Sequence, residues 1–273
     1  MTVESPDWIV VTRGKAPLIV SIPHAGADLL SFEGRFVDPW LARKDADWRL
    51  EELYDFAGGI GATIVQTRLS RSIIDVNRDP SGASLYPGQA TTELVPTTSF
   101  DGEPLYRAGE APDRREIADR RRLYFEPYHA ALGAEIARLR DRFTRVALFD
   151  GHSIRSRIPR LFEGELPLFN LGTNSGLSCD PDVREAVAAV LGASGKGFVV
   201  DERFKGGWIT RAYGKPSAGV EALQMEIACR AYMREPDSPT RENWPAPIDQ
   251  DRASATRSTL RRVLETILAR IAA

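Results

Sequence analysis

The stretch Val146-Ala147-Leu148-Phe149-Asp150-Gly151-His152-Ser153 joins an apolar run directly to a carboxylate, a glycine, an imidazole and a hydroxyl. The apolar half predicts a buried strand, and the carboxyl end of a strand is where an α/β sheet presents its functional groups. The predicted strand 17–22 is likewise followed by Pro23-His24-Ala25-Gly26. Two of the three histidines in 273 residues therefore follow predicted strands. We expect His24 and His152 to form one site.

Strands and helices alternate along the rest of the chain. Apolar or β-branched runs predict strands at 8–12, 62–67, 72–76, 168–173, 198–200 and 220–227, and residues 13–15 resemble a hairpin turn between the first two strands. Helical periodicity predicts helices at 46–57, 113–143, 181–191 and 251–272, with a kink near Phe125 caused by Pro127. Residues 206–214 are predicted to form a loop. This order predicts an α/β protein, a three-layer α/β/α fold with a largely parallel sheet.

One segment interrupts the alternation. Residues 80–112 are rich in Pro, Gly, Ser and Thr and show little periodicity. A loop of this length in a compact domain is usually functional or disordered, so we predict that it covers the active site. Residues 1–273 are expected to form a single domain, because α/β folds of this length are often undivided.

Composition excludes several classes of protein. Hydrophobic residues make up 42% and charged residues 27%, with a net charge of -2 and no basic stripe, so a nucleic-acid partner is not expected. No apolar run approaches the ~20 residues of a membrane span, and the N-terminus lacks the pattern of a signal peptide. A cytoplasmic location is therefore expected. Cys179 and Cys229 lack metal-site spacing and are predicted to be free, buried thiols.

The two strand-end histidines suggest a metal site. Zinc prefers imidazole and carboxylate ligands, and catalytic zinc sites use three protein ligands. Asp45 and Asp47 are the candidates for the third ligand, although either one could instead cap the predicted helix after them. Asp150 could orient an imidazole from behind. The alternative for both histidines is a hydrogen-bonded loop imidazole, whereas the mid-helix position of His129 favours a packing role.

Arginines and glutamates complete the candidate site. Arg71, Asn77 and Arg78 flank a short apolar run, and Arg211 lies in the predicted loop 206–214. Guanidinium groups bind carboxylates in a bidentate fork, which suits an acidic substrate. The alternative is that these arginines pair with Asp75 or Asp79.

Glu226 near the end of the last predicted strand is the candidate general base. A buried carboxylate is costly unless it is paired or functional, and a glutamate is the usual base in metal-assisted hydrolysis. Glu221 is the competing candidate, and an ion pair with an arginine is the alternative for both. The chain has no GxSxG elbow, no P-loop and no GxGxxG after its first strand.

Taken together, these segments resemble the N-formylglutamate amidohydrolase (N-formylglutamate deformylase) family. The matching motifs are short, but they occur in order over residues 17–235: Ser21-Ile22-Pro23-His24-Ala25-Gly26, Asp45-Ala46-Asp47-Trp48, Ser70-Arg71, Asp75-Val76-Asn77-Arg78, Glu126-Pro127-Tyr128-His129, Asp150-Gly151-His152-Ser153, Gly207 to Gly214 and Gln224-Met225-Glu226. In one respect the chain departs from the family pattern, because Arg49 follows Trp48 where a histidine is frequent. This departure bears on substrate identity more than on fold.

The resemblance implies a mixed sheet between helices, similar to zinc carboxypeptidases, with one Zn2+ at the strand ends. It implies His24, His152 and Asp47 as ligands, with Asp45 as the alternative third ligand. Arg71, Asn77 and Arg78 would then hold substrate carboxylate and Glu226 would be the base.

The implied reaction is metal-dependent hydrolysis of N-formyl-L-glutamate to formate and L-glutamate, a step of histidine degradation. Two alternatives remain at this point. One is a zinc amidohydrolase acting on another N-acyl amino acid or a small peptide. The other is a non-catalytic binder of an acidic metabolite. In each case the expected partner is a small acidic molecule, and the sequence does not fix the oligomeric state.

Overall fold

Seven strands form one sheet in the computed structural model, which describes residues 6–272. The strands are β1 (Ile9–Thr12), β2 (Leu18–Ile22), β3 (Thr63–Thr67), β4 (Val146–Ile154), β5 (Phe169–Gly172), β6 (Phe198–Val200) and β7 (Val220–Ala228). Their order across the sheet is β1-β3-β2-β4-β7-β5-β6. The pairs β3–β2, β2–β4, β4–β7 and β5–β6 are parallel, whereas β1–β3 and β7–β5 are antiparallel. The predicted mixed, largely parallel sheet is confirmed.

Strand β4 lies at the centre of this sheet, between β2 and β7. All nine of its residues are buried, including the polar segment that was predicted to follow the strand. The strand therefore continues past Phe149 to Ile154, because β7 pairs with β4 along its whole length. The register places Ser21 of β2 beside Asp150, and Glu226 of β7 beside His152. Functional groups thus come from within β4 as well as from its end.

Helices cover both faces of the sheet, as the predicted three-layer fold requires. They are α1 (Pro39–Arg43), α2 (Leu50–Leu53), α3 (Arg114–Arg120), α4 (Glu126–Arg140), α5 (Pro181–Ala193), α6 (Trp208–Tyr213) and α7 (Gln250–Ala272). Helices α5 and α7 pack in one hydrophobic cluster, and α4 and α6 pack in another on the opposite face. Among residues 6–272, no helix combines the length and the apolar character needed to cross a membrane.

The C-terminal helix α7 closely matches its prediction. Leu260, Val263, Leu264 and Ile267 follow the i, i+3, i+4, i+7 spacing, and each is fully buried. Burying an aliphatic side chain of this kind contributes roughly 1.5–3 kcal/mol. The apolar stripe therefore fixes which face of α7 meets the sheet. Both cysteines are buried and free, as predicted.

Two strand predictions were wrong. No hairpin joins β1 to β2, because β1 pairs antiparallel with β3. Gly14 lies in the connection and passes so close to residues 61–62 that a Cβ atom would lie 2.0 Å from the carbonyl oxygen of Gly61. The predicted strand 72–76 consists of turns, and it buries Asp75 with Ile73 and Ile74 without joining the sheet.

Two helix predictions were also wrong. The predicted helix 46–57 is reduced to the short α2 and a 3-10 turn at Asp55–Ile60, because Arg49 adopts a left-handed conformation with φ 65° and the helix begins only after it. The predicted loop 206–214 contains α6. The predicted helix 113–143 is present as α3 and α4, and the turn between them, Arg121–Phe125, is a π-helix. This widened turn ends two residues before Pro127, whose ring disfavours regular helix geometry there.

Candidate active site

His24, Asp47 and His152 converge at the edge of the sheet formed by β2 and β4. His24 follows β2 by two residues, and its carbonyl oxygen accepts a hydrogen bond from the backbone N–H of Asp47 at 2.9 Å. One ligand atom from each of the three residues lies within 4.8 Å of the others. All three side chains are almost completely buried. The convergence comes from neighbouring parallel strands together with one loop held against them.

A carboxylate holds the far nitrogen of each imidazole. His24 Nε2 lies 2.7 Å from Asp75 Oδ1, and His152 Nε2 lies 2.8 Å from Asp150 Oδ2. The two Nδ1 atoms consequently face Asp47 Oδ2, at 3.9 Å from His24 and 3.2 Å from His152. A carboxylate behind a histidine is the usual way to orient a metal-binding imidazole. The sequence suggested Asp150 for this task, whereas Asp75 had been considered only as an arginine partner.

These residues fit a divalent metal ion. His24 Nδ1 is buried and has no hydrogen-bond partner among the described residues. Burial lowers the pKa of His24, and the Arg71 guanidinium lowers it further, which favours the neutral imidazole that binds metals. Burial opposes charge on His152, but Asp150 and Asp47 hold its pKa well above the ordinary value. Two imidazole nitrogens and one carboxylate oxygen are donor types that a divalent zinc ion accepts in proteins.

Asp45, the alternative ligand, is engaged elsewhere. Its Oδ2 accepts a hydrogen bond from the backbone N–H of Phe100 at 2.6 Å, and its Oδ1 lies 3.2 Å from Arg155 Nη2. The cluster of candidate metal ligands contains Asp47 and not Asp45.

A pocket of about 560 Å³, part of it open to solvent, is lined by His24 and His152 of this cluster. Arg71, Asn77, Arg78 and Glu226 line it together with Gln224, and the segment 80–112 contributes Tyr86, Thr92 and Phe100. Residues 80–112 contain no regular helix or strand. The strand register of β4 and β7 accounts for the position of Glu226 beside His152.

Glu226 has the environment of a general base or acid. Its side chain is buried, and Gln224 Nε2 donates a hydrogen bond to Glu226 Oε2 at 3.3 Å. Burial raises the pKa of Glu226 to about 8, although the nearby His152 acts in the opposite direction. Glu221 lies near the start of β7, where Arg145 and the backbone N–H of Asp180 occupy its carboxylate. The competing carboxylate is therefore in a structural ion pair.

Sequence comparison identifies relatives along most of the chain. A model of the N-formylglutamate amidohydrolase family matches residues 16–233. A protein named N-formylglutamate deformylase from Pseudomonas aeruginosa is 43% identical over 259 residues, covering 94% of each chain. The protein of the same name from Pseudomonas putida is 42% identical over 259 residues, with the same coverage. The chain belongs to the N-formylglutamate amidohydrolase family.

Solved structures agree with this family at the level of the fold. N-formylglutamate amidohydrolase from Ralstonia eutropha JMP134 is similar with a TM-score of 0.78 and 22% identity, covering 96% of this chain and 98% of the other. A gene product from Agrobacterium tumefaciens is similar with a TM-score of 0.73 and 16% identity, covering 98% of each chain. The predicted resemblance and fold class are thus both confirmed.

Of the four residues predicted to bind substrate, three line the pocket and one does not. Arg71 and Arg78 line the pocket, but Arg71 Nη2 also lies 2.6 Å from Asp75 Oδ2, so the predicted alternative of an arginine–Asp75 pair is present as well. Asn77 lines the pocket while its amide donates to Asp150 Oδ2 and accepts from the N–H of Ile209. Arg211 does not line the pocket and bonds to the carbonyl oxygen of Gly206.

Gly207 leaves room for the buried side chain of Asn77. A Cβ atom on Gly207 would lie 2.5 Å from the side-chain amide of Asn77. Any larger residue at this position would push Asn77 away from Asp150 and disturb the carboxylate behind His152.

Sequence reasoning missed Gln224, Tyr86 and Arg203 as lining residues. Gln224 could have been found, because it lies two positions before Glu226 and so shares its face of β7. Arg203 gives no such signal, since the surrounding run Asp201-Glu202-Arg203-Phe204-Lys205 resembles a solvated charged loop.

His129 lies outside the metal-ligand cluster and packs in α4, as predicted. Its ring stacks on Phe125 with 4.1 Å between centroids, and its two nitrogens lie near Val76 O and Tyr213 Oη at 2.8 and 2.9 Å. Burial lowers the pKa of His129 to about 4, so the ring is neutral at neutral pH.

Proposed function

We propose that this chain is a metal-dependent amidohydrolase that converts N-formyl-L-glutamate and water to formate and L-glutamate, in the cytoplasm and in the service of histidine degradation. The observation that carries the proposal is the cluster of His24, Asp47 and His152, whose two histidines line a pocket together with Glu226 and several arginines. The names of the relatives from the two Pseudomonas species support the choice of substrate. Residues 1–273 are proposed to form a single catalytic domain.

Zn2+ is the proposed metal, held by His24, His152 and Asp47. When bound there, a zinc ion supplies Lewis acidity, which polarises a carbonyl group and acidifies water. Asp75 and Asp150 keep the two imidazoles oriented with Nδ1 toward Asp47. The protein thereby prepares the site before any ligand arrives, because both rings are fixed by buried hydrogen bonds.

Glu226 is the proposed proton carrier. It accepts the proton of the water that attacks the formyl carbon, and it delivers that proton to the amide nitrogen as the C–N bond breaks. A carboxylate with a pKa near neutrality suits both halves of this transfer. Gln224 holds one oxygen of Glu226 and so orients the other for the reaction.

Arg71 and Arg78 are proposed to bind carboxylate of the substrate, while Asn77 keeps Asp150 and His152 in place. Arg71 stacks over Phe100 with 4.7 Å between guanidinium carbon and ring centroid, which fixes the plane of its fork. A fixed guanidinium gives bidentate recognition of a carboxylate. The guanidinium carbon of Arg211 lies 5.0 Å from the centroid of the Tyr86 ring, and Arg211 is proposed to support this side of the pocket without touching the substrate.

The proposal is tested by steady-state kinetics on N-formyl, N-acetyl and N-succinyl amino acids with zinc-loaded protein. N-formyl-L-glutamate should give the highest kcat/KM. A preference for an uncharged acyl amino acid would instead assign the pocket to another N-acyl substrate. Tight carboxylate binding without hydrolysis would identify a non-catalytic binder.

Metal analysis tests the ligand set directly. His24→Ala and His152→Ala should lose bound zinc, whereas His129→Gln, which removes a histidine outside the cluster, should retain it. Unchanged zinc content in the first two variants would contradict the assignment.

A further inference from the structure

Arg203 lines the same pocket and differs from its other arginines in having no carboxylate partner. Among residues 6–272, no Asp or Glu oxygen lies within ion-pair distance of its guanidinium, whereas Arg71 and Arg78 lie 2.6 and 3.6 Å from Asp75 Oδ2. One carboxylate is therefore shared by two arginines, and Asp75 also holds His24. Arg203 therefore brings to this pocket a positive charge that forms no ion pair within the described residues.

The protein holds Arg203 with neutral groups. Its Nε donates to the carbonyl oxygen of Leu161 at 2.8 Å, and its Nη2 donates to that of Ala90 at 3.0 Å. The rings of Tyr86 and Phe204 lie 5.6 and 5.2 Å from the guanidinium carbon. Carbonyl oxygens and aromatic faces orient an arginine without cancelling its charge. Its Nη1 has no hydrogen bond to any described residue.

The pKa of Arg203 shows how burial and the neighbouring groups act on its positive charge. Burial lowers the pKa of Arg203 and the positive charge of Arg78 lowers it further, whereas Tyr86 and, less strongly, the more distant carboxylate of Glu226 raise it. Guanidinium groups remain protonated in proteins in spite of such shifts. Two like charges on one wall of a pocket are stabilised when an anion binds between or beside them.

The chemistry of the substrate indicates which anion this is. In an N-acyl glutamate the α-carboxylate carbon is two bonds from the reacting nitrogen, and the side-chain carboxylate carbon is four bonds away. Arg71 lies beside the ligand cluster, with Nη1 3.9 Å from Asp47 Oδ1. Arg203 instead contacts the covering segment 80–112 through Ala90 and Tyr86. The nearer arginine suits the nearer carboxylate, and Arg203 suits the farther one.

We propose that Arg203 binds the side-chain carboxylate of the substrate and so restricts the enzyme to N-acyl derivatives of dicarboxylic amino acids. This inference rests on the proposed amidohydrolase function. It assigns a specificity role to a residue outside the motifs that carry the family resemblance. The Arg203 contact should act on substrate discrimination and leave the reacting atoms untouched.

The test compares N-formyl-L-glutamate with N-formyl-L-glutamine, which keeps the shape and removes the side-chain charge. The parent enzyme should prefer the glutamate derivative in kcat/KM. Arg203→Gln should lower kcat/KM for the glutamate derivative by roughly 10- to 100-fold, as expected for a lost charge-assisted hydrogen bond. It should leave the glutamine derivative nearly unchanged. Arg203→Lys should recover part of the preference.

Arg211→Gln is the matched control, because Arg211 also stacks on Tyr86 but does not line the pocket. It should keep the parental ratio between the two substrates. An equal loss on both substrates in Arg203→Gln would show a structural role and overturn the proposal.

A second measurement separates this inference from the proposed function. If the parent protein hydrolyses neither compound, the proposed function fails, and calorimetric binding of N-acetyl-L-glutamate and N-acetyl-L-glutamine then decides the role of Arg203. A preference for the glutamate derivative that disappears in Arg203→Gln supports it. Equal changes in affinity for both ligands overturn it.

Discussion

Asp45 and Asp47 are two positions apart in the same loop, with Asp47 buried and Asp45 nearly so, yet their surroundings differ. Around Asp45, Arg155 and the N–H of Phe100 occupy both carboxylate oxygens, and Lys44 and Asp101 extend the network as an ion pair. Around Asp47, His24 Nδ1 is buried with no partner. Both carboxylate oxygens of Asp45 are therefore used within the protein, whereas the imidazole nitrogen of His24 that faces Asp47 is left for a ligand.

The largest expected effect is the loss of the metal site in Asp47→Ala. Because the variant removes one of the three proposed ligands, zinc content should fall and kcat/KM should drop by at least about 100- to 1,000-fold. Metal analysis and steady-state kinetics on the same preparation check this. Asp45→Ala serves as the matched control and should retain zinc. Zinc loss in both variants would contradict the assignment of different roles to Asp45 and Asp47.

A smaller effect is expected for the carboxylates behind the histidines. Asp75→Asn and Asp150→Asn keep the shape but weaken the orientation of His24 and His152. Metal affinity should fall roughly 10- to 100-fold, the usual cost of removing such a partner. Competition with a chelator of known affinity measures the change. Parental affinity in both variants would mean that the rings need no carboxylate behind them.

Asp45→Asn should reduce stability without affecting the metal. The variant leaves the buried Arg155 with one counter-ion fewer, although Asp101 remains 2.7 Å from it. The free energy of unfolding should fall by about 1–3 kcal/mol, which urea unfolding of the metal-free protein measures. An equal loss of unfolding free energy in the zinc-loaded protein would support the separation of the Asp45 and Asp47 regions. A change in zinc affinity would contradict it.

His129 differs in the same way from His24, and substituting it should have the smallest effect on stability at neutral pH. Both nitrogens of His129 have partners, and the folded pKa of about 4 lies below the ordinary value near 6.5. Above pH 6.5 the ring is neutral in both states. As the pH falls from 6.5 to 4, the unfolded state takes up the proton first, so this residue removes up to about 3 kcal/mol of stability. His129→Gln should therefore flatten the pH dependence of unfolding over that range, and an unchanged slope would contradict it.

The residues that the structure brings together could be predicted from the sequence where they follow local patterns. His24 and His152 were recognisable because an apolar run ends at each of them, and Glu226 because it interrupts a buried strand. The roles of Asp75 and Arg203 depend on contacts between segments far apart in the chain, which periodicity does not encode. The left-handed Arg49 and the antiparallel pairing of β1 with β3 are set by tertiary packing for the same reason.

The spread of the ligands along the chain has a consequence for folding. Asp47 and His152 are 105 positions apart, and His24 lies beside them in the structure where β2 pairs with β4. Closing so long a loop is costly in chain entropy, so the unfolded chain offers a metal ion only isolated ligands. Metal binding can therefore stabilise only the folded state, in which the sheet is assembled. Zinc should slow unfolding while leaving the earliest steps of folding unchanged.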